Sequence, residues 1–369
     1  MTIQMLSCDV CNYNEPYSIN PTHEHPELEL GGVPVNIWTP IYPLDRSQRL
    51  VVEDTKKGID RFQALIPVSL DETVISNEGN TPLIKIDGAY LKDESHNPTG
   101  SFKDRGIAAL VSEAVYHGVK RIAVPSTGNA AISLGYYGNR AGIETIVFIP
   151  TNTPEEKVKQ IRKNSEIIRD PDLIESYEHF FRFCKKNTDV HNGFPSNNIA
   201  YLQGLKTTAY ELFMQLGKTI PDYVIVPVGS GGNIVGIYYG FRDLVKIGVS
   251  DKMPHLVTVQ LEGADPITQG FRKNQREDLL VLDLLPETRA EAIASDTCFN
   301  YFKILNILSE TDGTAISVNE DEIDNSPEYN LEYSSRSVFA GLEKLLRANK
   351  TINELGNVVL IGTASNRGD

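Results

Sequence analysis

From residue 83 onwards, short apolar segments alternate with stretches of helical spacing, and this alternation restricts the fold more than any other feature. Apolar runs bounded by turn residues predict strands, and longer periodic stretches predict helices. The predicted strands are 83–86, 89–92, 121–124, 145–149, 166–169, 223–228, 256–261 and 358–361, and the main predicted helices are 54–66, 105–117, 130–141, 154–163, 173–186, 204–216 and 234–247. Such alternation predicts an α/β protein with mostly parallel sheets and helices on both faces.

Polar loops follow three of these predicted strands. In open α/β sheets, ligands bind at the carboxyl ends of the strands. The first loop, Ser126-Thr127-Gly128-Asn129, offers hydroxyls, an amide and backbone N–H groups at a helix start. This arrangement suits an anion, and it equally suits simple capping of the helix.

The second loop, Gly229-Ser230-Gly231-Gly232-Asn233, runs from a buried strand into a helix. Glycines let successive backbone N–H groups converge on one anion, and a phosphate monoester fits best. A Walker loop would need Gly-Lys-Ser/Thr, and a dinucleotide fingerprint would need a third glycine at position 234. The sequence has Ile234 there, so both nucleotide-binding motifs are excluded, whereas a purely structural turn remains an alternative.

Lys103 lies near the start of a predicted helix, directly after the turn Asn97-Pro98-Thr99-Gly100. The positive end of the helix dipole disfavours a charged ammonium, and a nucleophilic lysine must be neutral. A solvated lysine at a helix start is the alternative interpretation.

The segment Asn97-Pro98-Thr99-Gly100-Ser101-Phe102-Lys103-Asp104-Arg105-Gly106 resembles the cofactor-lysine motif of threonine synthase-like enzymes that use pyridoxal 5'-phosphate (PLP). These enzymes have fold type II and are related to the tryptophan synthase β-subunit. The resemblance implies that PLP is the cofactor and that Lys103 is the catalytic, Schiff-base lysine. It assigns the PLP phosphate to Gly229, Ser230, Gly231, Gly232 and Asn233.

The same resemblance gives roles to the other two loops. Ser126, Thr127, Gly128 and Asn129 would bind the substrate carboxylate, with the Asn129 amide also beside the phenolic oxygen of the cofactor. Thr363, in the third loop Gly362–Asn366, would face the pyridine nitrogen, with Ser365 as the less favoured candidate. A smaller mobile α/β domain would span 80–215, and a larger α/β domain would comprise 46–79 and 216–369.

One substrate-side residue departs from the family pattern. Typical threonine synthases have an arginine that grips the phosphate of O-phosphohomoserine, and Tyr201 stands at that position, within Asn198–Thr207. A neutral phenol cannot replace a bidentate cation. We therefore expect a PLP-dependent carbon–oxygen lyase of amino-acid metabolism, either a threonine synthase or a paralogue with an altered substrate.

Three alternatives stay open on the sequence. They are a β-replacement enzyme of the cysteine or cysteate synthase type, a serine or threonine dehydratase, and a non-enzymatic PLP or amino-acid sensor. If a phosphorylated substrate is used, Lys157, Lys159 or Arg162 could supply the missing cation.

The formal charge of −14 argues against nucleic-acid partners and anionic membranes. The sequence has no apolar run of membrane-spanning length and no secretory signal pattern at its beginning. Its four cysteines do not form a disulfide framework. We therefore expect a cytoplasmic enzyme that acts on a small amino-acid substrate, and the family resemblance suggests a homodimer.

Residues 1–45 show no sustained periodicity and predict an irregular N-terminal arm. The arm carries Cys8-x-x-Cys11, half of a zinc site, with His23 and His25 downstream. The His-x-His spacing is unlike that of a zinc finger and no second cysteine pair follows. On the sequence we expect two free thiols and no metal.

Overall fold

The structure, a computed structural model, describes residues 1–21, 23, 25, 29–30, 33–276, 278–347 and 355–366. The strands, labelled β1 to β15, are Met5–Cys8, Asn14–Pro16, Glu29–Leu30, Val33–Pro34, Trp38–Ile41, Leu83–Ile86, Ala89–Asp93, Arg121–Pro125, Glu144–Pro150, Glu166–Asp170, Val190–Asn192, Tyr223–Pro227, His255–Leu261, Thr314–Val318 and Val358–Gly362. The α-helices, labelled α1 to α11, are Lys103–Tyr116, Asn129–Ala141, Glu155–Arg162, Leu173–Lys186, Ile199–Leu205, Thr207–Gln215, Gly232–Lys246, Pro266–Lys273, Tyr301–Glu310, Glu320–Asp324 and Tyr333–Arg347.

The chain forms two compact units. The first unit contains Met1–Pro43, Arg49–Gly79 and Lys103–Leu205, and the second contains Leu44–Gln48, Asn80–Phe102 and Lys206–Asp369. The predicted α/β class and its parallel sheets are confirmed. None of the described helices is both long and apolar enough to cross a membrane.

A four-stranded parallel sheet of order β10-β9-β8-β11 forms the centre of the first unit. Strand β9 is buried along almost its whole length, because helices α2 and α4 pack against it. A strand covered in this way reads as a continuous apolar run instead of an alternating one. The carboxyl end of β8 leads directly into the first polar loop.

The second unit is built on a six-stranded sheet of order β14-β13-β12-β15-β7-β6. All neighbours are parallel except the edge pair β6–β7, which is an antiparallel hairpin. Side chains from the central strands and from α11 form its main hydrophobic core, which includes Leu91, Ile225, Val257, Val259, Val338 and Leu360. Strands β12 and β15 carry the second and third polar loops at their carboxyl ends.

The arm differs from its prediction, since it is not irregular throughout. Strands β1, β2 and β5 form an antiparallel sheet of order β2-β1-β5, and β3 and β4 form a separate two-stranded pair. These strands have four residues at most, which is too short to show a period, and backbone pairing between distant segments stabilises them.

The two units also divide the chain differently from the predicted domains. Segment 80–102 groups with the second unit, because β6 and β7 join its sheet beside β15. Segment 49–79 and the arm group with the first unit instead. The predicted helix 204–216 covers the end of α5, in the first unit, and all of α6, in the second, and the predicted helix 54–66 is a 3₁₀ helix over Gly58–Leu65.

Candidate active site

Lys103 is the first residue of α1, as the sequence predicts, and its side chain is half-buried. The turn before it is fixed by hydrogen bonds within the second unit. The backbone N–H of Phe102 donates to the Thr363 carbonyl at 2.9 Å, and Ser101 forms an antiparallel bridge with Ala364. The residue preceding Lys103 is therefore attached to the third polar loop.

The ring of Tyr201 lies beside Lys103 in the first unit. Lys103 Nζ is 5.9 Å from the centre of that ring. The ring also covers Gly106, where an added Cβ would come within 2.3 Å of Tyr201 Cδ2. Helices α1 and α5 can approach this closely because Gly106, and Gly204 opposite the Arg105 carbonyl, have no side chains.

The hydroxyl of Tyr201 has no hydrogen-bond partner among the described residues, although the side chain is fully buried. Burial, together with the nearby Asp104 carboxylate, raises the pKa of Tyr201, so the phenol stays neutral. A buried hydroxyl without a partner costs free energy, and a bound ligand can offset that cost. This position can therefore donate one neutral hydrogen bond beside Lys103.

The first polar loop connects β8 to α2, and all four of its residues are half-buried. Gly128 is the residue before the helix, and no side chain caps the helix start. Ser126 Oγ instead accepts the Gly128 N–H at 3.3 Å. A Cβ on Gly128 would meet no atom within 4 Å, so open space lies in front of the loop. The backbone N–H groups at such a helix start can bind an anion.

Buried carboxyl groups hold α1 and α2 in place behind this loop. Ser133 donates a hydrogen bond to Asp104 at 2.6 Å, and Tyr137 donates one to Glu78 at 2.9 Å. Burial raises the pKa of the Glu78 carboxyl to about 7. The sequence alone does not identify either carboxyl, because the hydrogen-bond partners of Asp104 and Glu78 come from distant segments.

The second polar loop turns tightly between β12 and α7. Gly231 has φ +85°, and a Cβ there would come within 2.4 Å of Ile304 and 3.0 Å of Cys298. A Cβ on Gly229 would lie 2.3 Å from the Ala292 carbonyl. Both positions require glycine, one for its backbone conformation and its neighbours and the other for its neighbours alone. The residues that enclose the loop come from 292–304, and no local sequence signal identifies them.

Asn233 lies on the first turn of α7, is 5% exposed, and makes no side-chain hydrogen bond to the described residues. Both its amide oxygen and its amide nitrogen are buried. No side chain caps this helix start either, since the capping position is Gly231. A buried amide without a partner among the described residues, beside a glycine turn and a helix N-terminus, suits a phosphate monoester.

The third polar loop places Thr363 in a buried hydroxyl pair with Ser335. Thr363 Oγ1 also lies 3.3 Å from Glu332 Oε1, and Ser335 Oγ accepts the backbone N–H groups of Thr363 and Ala364 at 3.1 Å each. Ser365 donates to the Gly100 carbonyl at 3.3 Å. The resemblance implies a role for Thr363 alone, and the sequence does not identify Ser335 and Glu332, because they lie 28 and 31 residues earlier in the chain.

Comparisons with known proteins show the family to which the segment that carries these residues is similar. A family model described as "Pyridoxal-phosphate dependent enzyme" matches residues 74–363. A threonine synthase of Methanosarcina acetivorans is 32% identical over 304 residues, which cover 78% of this chain and 74% of the relative. A threonine synthase of Methanocaldococcus jannaschii is 33% identical over 317 residues, which cover 78% and 75%.

Among solved structures, threonine deaminase isoform 2 of Solanum lycopersicum matches with a TM-score of 0.67 and 21% identity. The match covers 89% of this chain and 96% of the deaminase. At this identity the likeness concerns the fold, and the deaminase shares the α/β architecture described above.

Proposed function

We propose a reaction for this chain on the premise that it belongs to the family of pyridoxal-phosphate-dependent enzymes and uses PLP as its cofactor. The chain is a PLP-dependent carbon–oxygen lyase that acts on a small amino acid. Its reaction is that of threonine synthase, which converts O-phosphohomoserine and water into threonine and phosphate, or that of a paralogue with a different substrate. The similarity to two threonine synthases supports the reaction class.

The cofactor supplies an electron sink that stabilises negative charge on the α-carbon of an amino acid. Lys103 would hold the cofactor covalently through Nζ, and its neutral amine would act as the general base for the α-proton of the substrate. Its place on the first turn of α1 favours the neutral amine that both tasks need.

The three polar loops bind the cofactor and the substrate. The backbone of Gly229 to Gly232 and the Asn233 amide bind the cofactor phosphate, which supplies the partners that the buried amide lacks. Thr363, with Ser335 and Glu332 behind it, provides a neutral hydroxyl for the ring nitrogen. Ser126 to Asn129 bind the substrate carboxylate at the uncapped start of α2.

Tyr201 is the residue that we expect to determine which substrate the enzyme uses. Its ring lies 5.9 Å from Lys103 Nζ, and its hydroxyl lacks a partner among the described residues. Lys157 on α3 is half-buried, whereas Lys159 and Arg162 are exposed. Losing one hydrogen bond to a charged group costs about 1.5–3 kcal/mol, roughly tenfold to more than a hundredfold in affinity. We therefore expect weak O-phosphohomoserine turnover or a preference for another leaving group.

A β-replacement reaction on a serine derivative is the second candidate. A neutral phenol beside Lys103 suits a shorter or uncharged leaving group better than it suits a γ-phosphate. The same site would then bind an O-acetyl or O-phospho ester of serine. We further propose that the enzyme is cytoplasmic, because its four cysteines predict no disulfide framework, and that it is homodimeric, as the family resemblance suggests.

Steady-state kinetics on a panel of amino acids and their O-phospho and O-acetyl esters test this proposal. Tyr201→Arg should raise kcat/KM for O-phosphohomoserine about tenfold or more if only a cation is missing. Tyr201→Phe is the matched control, because it removes only the hydroxyl and should not improve that substrate. Wild-type turnover of O-phosphohomoserine at ordinary threonine synthase efficiency would refute the role of Tyr201. No turnover of any substrate by a PLP-loaded enzyme would favour the sensor alternative.

A further inference from the structure

Four potential metal ligands converge in the N-terminal arm, outside the segment that matches the family model. They are Cys8, Cys11, His23 and His25, and their ligand atoms all lie within 4.8 Å of one another. The family model begins at residue 74, so the family match assigns no role to this cluster. Our expectation of two free thiols and no metal rested on the His-x-His spacing, which the fold of the arm makes irrelevant.

Three of the six distances within the cluster lie close to those of a tetrahedral zinc site. Cys8 Sγ lies 3.4 Å from His25 Nε2, Cys11 Sγ lies 3.2 Å from His23 Nε2, and the two Nε2 atoms are 3.2 Å apart. With Zn–S of about 2.3 Å and Zn–N of about 2.0–2.1 Å, a tetrahedron separates sulfur from nitrogen by about 3.6 Å and two nitrogens by about 3.3 Å. Small shifts of the side chains would therefore accommodate the ion.

The chemistry of the four groups also favours a soft divalent cation. Two thiolates neutralise the charge of Zn²⁺, and imidazole is the usual companion ligand. Hydrogen bonds alone explain the cluster poorly, because a thiol is a weak donor and a neutral imidazole carries one N–H. Both histidines direct the same atom, Nε2, towards each other and towards a sulfur. A central cation gives each of these lone pairs a partner.

Backbone hydrogen bonds and ring contacts within the arm also position three of the ligands. Cys8 is the last residue of β1 and is fully buried, and its backbone N–H donates to the Tyr13 carbonyl at 2.8 Å. The Cys8 carbonyl accepts the Asn12 N–H at 3.0 Å, which closes the turn that carries Cys11. The His23 ring packs between Tyr13 and Trp38, with ring centres 4.5 and 5.8 Å away.

We propose that Cys8, Cys11, His23 and His25 bind one Zn²⁺ as a four-coordinate structural site. Protein side chains fill all four positions, as in structural zinc sites, whereas catalytic sites leave one position open. The ion would fasten the segment that contains His23 and His25 to the end of β1. The site is independent of the cofactor and of the reaction, so it can be tested without an activity assay.

Metal analysis of the full-length, PLP-loaded protein from zinc-supplemented culture is the first experiment. We expect one zinc per chain, retained on gel filtration. Cobalt exchanged into the protein should give the intense absorption of a tetrahedral thiolate site. Protein that holds no zinc, and that after reduction takes up neither zinc nor cobalt, would overturn the proposal.

Variants locate the ion. Cys11 is exposed, so the Cys11→Ser variant should fold. It should bind zinc at least about 100-fold more weakly, because removing the hydrogen-bond partner of a ligand already lowers metal affinity by about 10- to 100-fold, and removing the ligand itself should lower it further. His23→Ala should have the same effect. Cys184→Ser is the matched control, since it removes a free thiol from α4 and should keep one zinc per chain. Full zinc content in both Cys11→Ser and His23→Ala would refute these ligands.

Discussion

The two loops that open α2 and α7 are built alike, yet their surroundings differ. Each follows a buried parallel strand, and each leads into a helix that no side chain caps. Gly231 of the second loop is enclosed by Ile304, Asn300 and Cys298, whereas Gly128 of the first loop faces open space. An enclosed loop suits a resident group of fixed shape, and an open loop suits a substrate that enters and leaves.

The groups that anchor the two helices differ in charge as well. Tyr137 of α2 donates a hydrogen bond to Glu78, a buried carboxyl that has no cationic partner among the described residues. Asp243 of α7 pairs with Lys206 at 2.6 Å and accepts a hydrogen bond from Tyr210 at 2.8 Å. Burial raises the pKa of Glu78 to about 7 and lowers the pKa of Lys206 to about 8. The two anchors therefore titrate in different pH windows.

Gly231→Ala should have the largest effect, because the enclosed loop cannot accept a Cβ. A left-handed backbone conformation costs a non-glycine residue about 1–2 kcal/mol, and overpacking adds about 1–3 kcal/mol. PLP affinity, measured by equilibrium dialysis, should fall at least about 30-fold. Gly217→Ala is the matched control, since Gly217 has φ +68° but open space around it. Equal loss of PLP in both variants would show that enclosure is not the cause.

The pH dependence of the two anchors should have opposite signs. Between about pH 4.5 and 7 the folded chain binds more protons at Glu78, so this group's contribution to the free energy of unfolding falls as pH rises. Between about pH 8 and 10.5 the unfolded chain binds more protons at Lys206, so its contribution rises with pH. Each change is on the order of 3 kcal/mol.

The free energies of unfolding of Glu78→Gln, Lys206→Met and the wild type, measured by denaturation over a range of pH, test these two contributions. The difference between wild type and Glu78→Gln should change through the acidic window, and the difference between wild type and Lys206→Met should change through the alkaline window. Slopes of the same sign in both windows would contradict the assignment of the anchors.

Asn233→Ala should separate cofactor binding from stability. PLP affinity should fall by roughly tenfold to a hundredfold, because about 1.5–3 kcal/mol of hydrogen bonding to a charged phosphate is lost. The PLP-free protein should be as stable as the wild type or more so, because the buried amide has no partner there among the described residues. Asn300→Ala provides the contrast, since Asn300 donates to the Ser230 carbonyl at 2.7 Å and its loss should destabilise the PLP-free protein. If PLP-free Asn233→Ala is clearly less stable than the PLP-free wild type, the interpretation that the buried Asn233 amide has no partner in the PLP-free protein is wrong.

Gly128→Ala should have the smallest effect on the fold, because the new methyl group meets open space. We expect an unfolding free energy within about 0.5 kcal/mol of the wild type and unchanged PLP content. The KM for the amino-acid substrate should rise about tenfold, as the methyl group enters the space in front of the helix start. An unchanged KM would show that this loop does not bind the substrate.

The sequence predicts the features that are local. Strands β8, β9 and β12 are continuous apolar runs, and each glycine-rich or polar loop follows its strand directly, so these positions could be read from the chain. The need for glycine at position 231 follows from the glycine pattern, but the residues that enclose it lie some 70 positions later. Glu332 and Glu78 are placed by tertiary contacts, which leave no periodic signal.

The arm shows the same limit more clearly. Strand β1 has four residues and β2 has three, and β1 also pairs with β5, about 30 residues further along. The spacing of Cys8, Cys11, His23 and His25 along the chain therefore indicates little about their separation in space. Only the folded sheet brings the four side chains together.

The position of β15 between β7 and β12 has a consequence for synthesis on the ribosome. The β6–β7 hairpin is complete at residue 93, but its neighbour β15 begins only at residue 358. At about 5–20 residues per second, the hairpin waits roughly 13–50 s for that partner. During this time one strand edge of β7 has unsatisfied backbone groups, which can pair with another nascent chain. Chaperones that cover such an edge should therefore matter more for the yield of this protein than for its final stability.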